Sequence, residues 1–106
     1  MYLLFDSIEN LHQAIPINQP LRMRLPNQSM ICVVRTATTI HVFDDACPHL
    51  GESLSKGKVN YLGEIVCPWH TYRFQLLTGE EGSGKSCRPL RKYTVKIVEG
   101  QVYVSF

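Results

Sequence analysis

A chain of 106 residues has the length of one domain, and 44% hydrophobic with 19% charged residues is the mix of a folded globular protein, which excludes a disordered or membrane-spanning class. A formal net charge of +2 gives no basis for nucleic-acid binding, which calls for a clustered basic face. The apolar patch Tyr2 to Phe5 is broken at Asp6, too short for a secretory signal, so the expected compartment is the cytoplasm, where four cysteines serve as ligands or thiols rather than disulfides.

Asp6 with Glu9 three residues on has the form of a capping box, and a helix is expected from Ser7 to about Ala14, ended by Pro16. From Leu21 strict alternation sets Leu21, Met23 and Leu25 on one side and Arg22 and Arg24 on the other, as in a half-buried strand. Pro26-Asn27-Gln28-Ser29 turns the chain. Met30 to Arg35 and Ile40 to Phe43 are two more β-rich runs, linked by Thr36 to Thr39, and together they predict an antiparallel meander. Cys32, inside the apolar run Met30 to Val34, reads as a buried small hydrophobe. After a polar stretch, Glu52 to Lys58, the runs Val59-Asn60-Tyr61 and Glu64-Ile65-Val66 predict a short hairpin around Leu62-Gly63. Arg73 to Leu77 continues as a strand. Thr78 to Ser86, with three glycines, reads as a flexible loop, and Cys87 follows in polar surroundings with no evident role. Tyr93 to Val98 and Gln101 to Phe106, joined at Glu99-Gly100, form the clearest hairpin. No long helical period, repeat or linker is present, so the expectation is one all-β domain, 1–106, whose first and last thirds supply a base and whose middle third is an excursion.

That excursion carries the chemistry. Cys47-Pro48-His49-Leu50-Gly51 is answered, with seventeen residues between His49 and Cys67, by Cys67-Pro68-Trp69-His70. Each half offers one thiolate and one imidazole. Two Cys and two His suit either a tetrahedral zinc ion or a two-iron cluster in which His replaces Cys on one iron. Zinc modules of this composition usually take both Cys from one knuckle and both His from one helix face, whereas here every half-site is a Cys followed closely by a His. Two loops, each giving one ligand to each iron, fit that order.

On these residues the chain resembles the Rieske 2Fe-2S family, whose pattern Cys-x-His, a connection of about this length, then Cys-x-x-His is met in full. The resemblance implies a Rieske-like antiparallel β-sandwich or barrel base, strands about 1–43 and 88–106, with a small inserted cluster-binding subdomain, about 44–87. It implies one 2Fe-2S cluster per chain, with Cys47 and Cys67 on one iron and His49 and His70 on the other. High-potential members add a disulfide between the ligand loops and hydroxyl donors to the cluster; this chain has Glu52 and Trp69 where those cysteines would fall, Tyr72 at the usual serine and Phe74 at the usual tyrosine position. It resembles instead the soluble, low-potential ferredoxins and oxygenase Rieske domains, although Thr71 and Gln75 replace the usual Gly and Asp.

The implied function is electron transfer from a flavin-type reductase to a terminal oxygenase through transient docking, by a monomeric carrier rather than an enzyme. The alternative is a Rieske-type small subunit of a larger oxidoreductase such as assimilatory nitrite reductase. Oxygenases of this kind add a catalytic domain with a mononuclear iron held by two His and a carboxylate, and no such motif occurs here. Gly79-Glu80-Glu81-Gly82-Ser83-Gly84-Lys85-Ser86 satisfies the phosphate-loop pattern, but Pro89 prevents the helix that a phosphate loop needs, and two acidic residues would repel the ligand. His12 and His41 lack a second ligand-type residue at useful spacing. Arg73, Arg88, Arg91 and Lys92 read as a solvated face or as a docking patch for an acidic partner, and Trp69 as packing or as cover for the cluster.

Overall fold

The computed structural model describes residues 1–49, 51–68 and 72–105. Two antiparallel sheets make up the fold. The larger has six strands, β1 (Tyr2–Phe5), β2 (Leu21–Arg24), β3 (Met30–Arg35), β4 (Ile40–Asp44), β8 (Lys92–Val98) and β9 (Gln101–Ser105), in the order β1-β9-β8-β4-β3-β2. The smaller joins β5 (Lys58–Val59), β6 (Glu64–Val66) and β7 (Arg73–Gln75) in sequence order.

All six strands of the larger sheet turn apolar side chains into one core: Ile31, Val33, Val42, Tyr93, Val102 and Val104 are buried there, with Tyr2, Leu21, Met23 and Val95 packed against them. A sheet whose two ends meet in one core must curl, and the strand alternation that places these residues on one face is the cause. Leu11 and Ile15, from α1 (Ile8–Ala14) and its C-cap, join that core. The helix cap differs from the expected one. Ser7, not Asp6, has the extended N-cap conformation, and its hydroxyl accepts the Asn10 amide at 3.1 Å, a bond that satisfies an otherwise orphaned helix donor.

Strand β3 explains its own continuous apolar run. Ile31 and Val33 face the core of the curled sheet, while Cys32 and Val34 face a second core with Phe43, Leu54, Ile65, Phe74, Leu76 and Leu90. A strand buried on both faces loses the polar alternation of a half-buried one. The second core joins the base to the 44–87 segment. Lys92 on β8 strengthens the junction, its ammonium donating to the Leu76 and Leu77 carbonyls within that segment.

The β8–β9 hairpin follows the sequence closely, with Glu99 and Gly100 both at positive φ (51° and 80°), the geometry of a tight turn that matches strand twist. The β5–β6 hairpin is shorter than its pattern suggested. Asn60 leaves the strand because its side-chain carbonyl accepts the Leu62 and Glu64 amides, making an Asx turn. Likewise β7 ends at Gln75, where a turn begins, rather than at Leu77. Tyr2 to Phe5, read as an apolar patch, is the edge strand β1, paired to β9 with Tyr2 opposite Val104.

His41 lies buried on β4 beside Lys92. Burial, then the Lys92 charge, pull its pKa from 6.5 down to about 4. The unfolded chain therefore binds this proton at higher pH than the folded one, so the support His41 gives is whole above pH 6.5 and is lost as pH falls toward 4. Urea denaturation is expected to show a loss of about 1–2 kcal/mol between pH 7 and pH 5, a loss that His41→Gln removes.

Candidate metal centre

The two candidate ligand loops share one backbone bond. The Cys47 amide donates to the Glu52 carbonyl at 2.7 Å, and the Cys67 amide donates to the Tyr72 carbonyl at 2.9 Å, so each loop is pinched by a bond from its cysteine to the carbonyl five residues on. In sequence, His49 lies between Cys47 and Glu52, and His70 between Cys67 and Tyr72. The first loop closes further through the Gly51 amide, which donates to the Cys47 carbonyl at 2.7 Å, a turn that Gly51 makes at φ +76° without steric cost.

Cys47 and Cys67 are 1% and 2% exposed and share the second core with Phe74 and Leu54. All four cysteines carry thiols rather than disulfides. His49 is exposed, its ring stacked on that of Tyr72. Leu50, Trp69, His70 and Thr71 lie outside the described residues, and with them the second histidine of the motif. Among the described residues, no three His, Cys, Asp or Glu side chains gather around a single point.

Asp45 anchors the first loop from below. Its wholly buried carboxylate accepts the Ser53 hydroxyl at 2.6 Å, the Ser55 amide at 2.7 Å and the Ser55 hydroxyl at 3.0 Å, and pairs with Arg22 at 3.3 Å. Residues 45 to 55 are thus tied into one unit around Cys47 and His49. Asp45→Ala leaves the Ser55 amide and its neighbours unpaired, and an expected loss of about 2–4 kcal/mol would register in chemical denaturation. Nothing in sequence spacing marks Asp45; the Ser53-Leu54-Ser55 segment that it binds is the one local hint.

Glu81 organises the second side. It accepts the Arg73, Ser83 and Lys85 amides at 3.0, 2.7 and 3.0 Å and the Ser83 hydroxyl at 2.5 Å. Burial raises its pKa, but these bonds outweigh burial and bring it down to about 2. A carboxylate of the loop itself therefore fills the nest of amides where a phosphate would sit, and no helix follows, so the phosphate-loop pattern is accidental. The stretch read as flexible is instead tied to β7 by the Phe74–Glu81 bridge and by the Gly82 amide on the Arg73 carbonyl at 2.7 Å.

Other expected site features take structural roles. Arg73 pairs with Glu64 at 3.4 Å and Arg91 with Asp44 at 3.9 Å, while Arg88 and Arg91 are both exposed. Cys32 is fully buried, and burial, then Asp45, push its thiol pKa well up, so it stays protonated. Cys87 is partly buried against the second core. A cavity of about 600 Å³ lined by His12, Arg35, His41 and Lys92 lies on the base and touches none of the motif residues.

A family model of the Rieske 2Fe-2S domain matches residues 10–94. The chain belongs to the Rieske 2Fe-2S family. The ferredoxin CarAc of Metapseudomonas resinovorans is 32% identical to this Rieske chain over 91 residues, which cover 82% of the chain and 83% of that ferredoxin. Apoptosis-inducing factor 3 of Homo sapiens is 34% identical over 74 residues, 70% of the chain, but the chain spans only 12% of that protein's length. Among solved structures, a complex of reduced oxygenase and oxidized ferredoxin in carbazole 1,9a-dioxygenase contains a chain similar at TM-score 0.79 and 25% identity, covering 99% of this chain and 91% of that one.

The residues present fit the cofactor of this Rieske family. Two buried thiols at the necks of two like-built loops, in an apolar setting that shuts out water, match the sulfur donors of such a cluster. When bound, the cluster takes up and releases one electron at a time. Phe74, fully buried in the core that also holds both cysteines, has no hydroxyl to offer as a donor.

Proposed function

We propose that the chain is an electron carrier that receives single electrons from a flavin-type reductase and delivers them to a terminal oxygenase. Cys47 and Cys67 hold one iron of the cluster and His49 and His70 the other. The observation that carries this reading is the pair of matched loops, each with a buried cysteine at its neck and a histidine of the motif within. The buried thiols keep the sulfur-ligated side dry, while the exposed His49 offers a short electron path to a docked partner. Similarity to a ferredoxin over most of both chains supports the carrier role. Docking is transient, the carrier is a monomer, and it works in the cytoplasm. No described helix is long and apolar enough to cross a membrane.

The test is iron and sulfide analysis of the purified protein, followed by dithionite reduction and reconstitution with a flavin reductase and an oxygenase. Two irons per chain, a rhombic paramagnetic signal on reduction and oxygenase turnover that depends on the protein are expected. A colourless protein holding one zinc overturns the reading. Because Phe74 supplies no hydroxyl and Glu52 stands in place of a disulfide cysteine, protein-film voltammetry is expected to place the midpoint toward the negative end of the family range of roughly −150 to +300 mV.

A further inference from the structure

Tyr72 belongs to the second loop, yet its ring lies on the histidine of the first. The Tyr72 and His49 ring centroids are 4.0 Å apart, with planes 12° from parallel. Over the same tyrosine ring, at 5.1 Å from its centroid, sits the Lys85 ammonium. Lys85 is placed there by its own loop: its ammonium donates to the Ser83 hydroxyl at 3.1 Å and its amide to Glu81 at 3.0 Å. Tyr72 is itself fixed at the neck of the second loop, where its carbonyl accepts the Cys67 amide, and its ring packs against the second core. Three separate segments of the chain, 47–52, 67–72 and 79–86, thus meet through Lys85, Tyr72 and His49.

This contact has two physical consequences. A stacked ring held by the backbone of the opposite loop favours one plane for the imidazole. The Lys85 ammonium lies over the ring that stacks on His49, and positive charge favours the state that has gained an electron. We propose that Tyr72 and Lys85 are positioning residues for His49: Tyr72 sets the plane of its imidazole, and Lys85 biases the site toward accepting an electron. This rests on the reading that His49 is a cluster ligand. The step adds one electron, supplied by the reductase, and no bond is made or broken.

The cluster-loaded protein tests it through redox titration and paramagnetic resonance of the wild type, Lys85→Met, Lys85→Glu, Tyr72→Phe and Tyr72→Leu. At a fixed applied potential, Lys85→Met is expected to lower the ratio of reduced to oxidised protein about threefold and Lys85→Glu about tenfold, the latter equal to about 59 mV. Both effects shrink in high salt, because Lys85 is exposed. Tyr72→Leu is expected to move the g-values of the reduced protein, and Tyr72→Phe, which keeps the ring, to restore them. If Tyr72→Leu fails to load, the Lys85 pair decides, since that exposed side chain is removable without disturbing either loop neck. A wild-type protein that holds no iron-sulfur cluster overturns the ligand reading itself. A wild type that loads and reduces normally, with Lys85 variants that match its titration, overturns the positioning role alone.

Discussion

Cys67→Ser is expected to give a colourless protein with iron near zero and no paramagnetic signal after reduction. The Cys67 thiol is 2% exposed and sits at the neck of the second loop, so a weaker hydroxyl donor cannot be replaced by a side chain from solvent. Cluster binding and folding are coupled where ligands come from two loops, so the melting temperature of the serine variant is expected to fall as well. Cys32→Ala is the matched control. Cys32 is just as buried, but its raised pKa keeps it a thiol in the apolar strand β3, and its replacement is expected to retain the full iron content while costing about 1 kcal/mol. Iron analysis of the two variants side by side checks the contrast; loss of iron in both would show that packing, not ligation, governs loading.

Gly57→Ala is expected to destabilise the protein by about 3 kcal/mol or more, and to impair loading with it. Gly57 has an ordinary negative φ, so the demand is not conformational. A Cβ at this position would stand 1.9 Å from the Val66 carbonyl oxygen, a backbone atom that cannot swing aside. Either the 54–57 turn or β6 must move, and Val66 is the residue before Cys67. A conformational glycine behaves differently: Gly63, at φ +77°, has open space around it, so alanine there meets backbone strain alone, about 1 kcal/mol. Denaturation midpoints of Gly57→Ala and Gly63→Ala, with iron content measured on each, distinguish the steric from the conformational requirement. Equal, small losses would contradict the close approach.

The strands that the sequence shows plainly are those whose evidence is local. Leu21 to Leu25 alternates because one face meets the core and the other meets water, and Tyr93 to Ser105 is bent by a Glu-Gly pair able to adopt positive φ. By contrast, β1 is four residues whose strand character depends on β9, nearly a hundred residues away, and Val59 to Tyr61 is cut short by a side chain of its own that competes for the backbone amides. At the capping site the sequence points to Asp6, whereas the extended backbone of Ser7, one residue on, makes Ser7 the cap.

The candidate centre divides in the same way. Donor types, their order and their spacing are properties of the chain itself, and Cys47, His49, Cys67 and His70 are legible as a candidate paired ligand set without any coordinates. Asp45, Gly57, Tyr72 and Glu81 are not, because each acts on residues that the chain brings near only by folding: a carboxylate under the Ser53–Ser55 turn, a glycine against a strand carbonyl, a ring on the other loop's imidazole, an acid filling its own loop's amides. The phosphate-loop pattern is set aside by Pro89 and its two acidic residues in the sequence, and folding adds that the Glu81 carboxylate occupies the loop's own amides. Sequence alone therefore determined which atoms are available to bind iron and that the framework is β; tertiary structure decided how those atoms are held, buried and charged, because contact and exclusion of water depend on distance in space rather than along the chain.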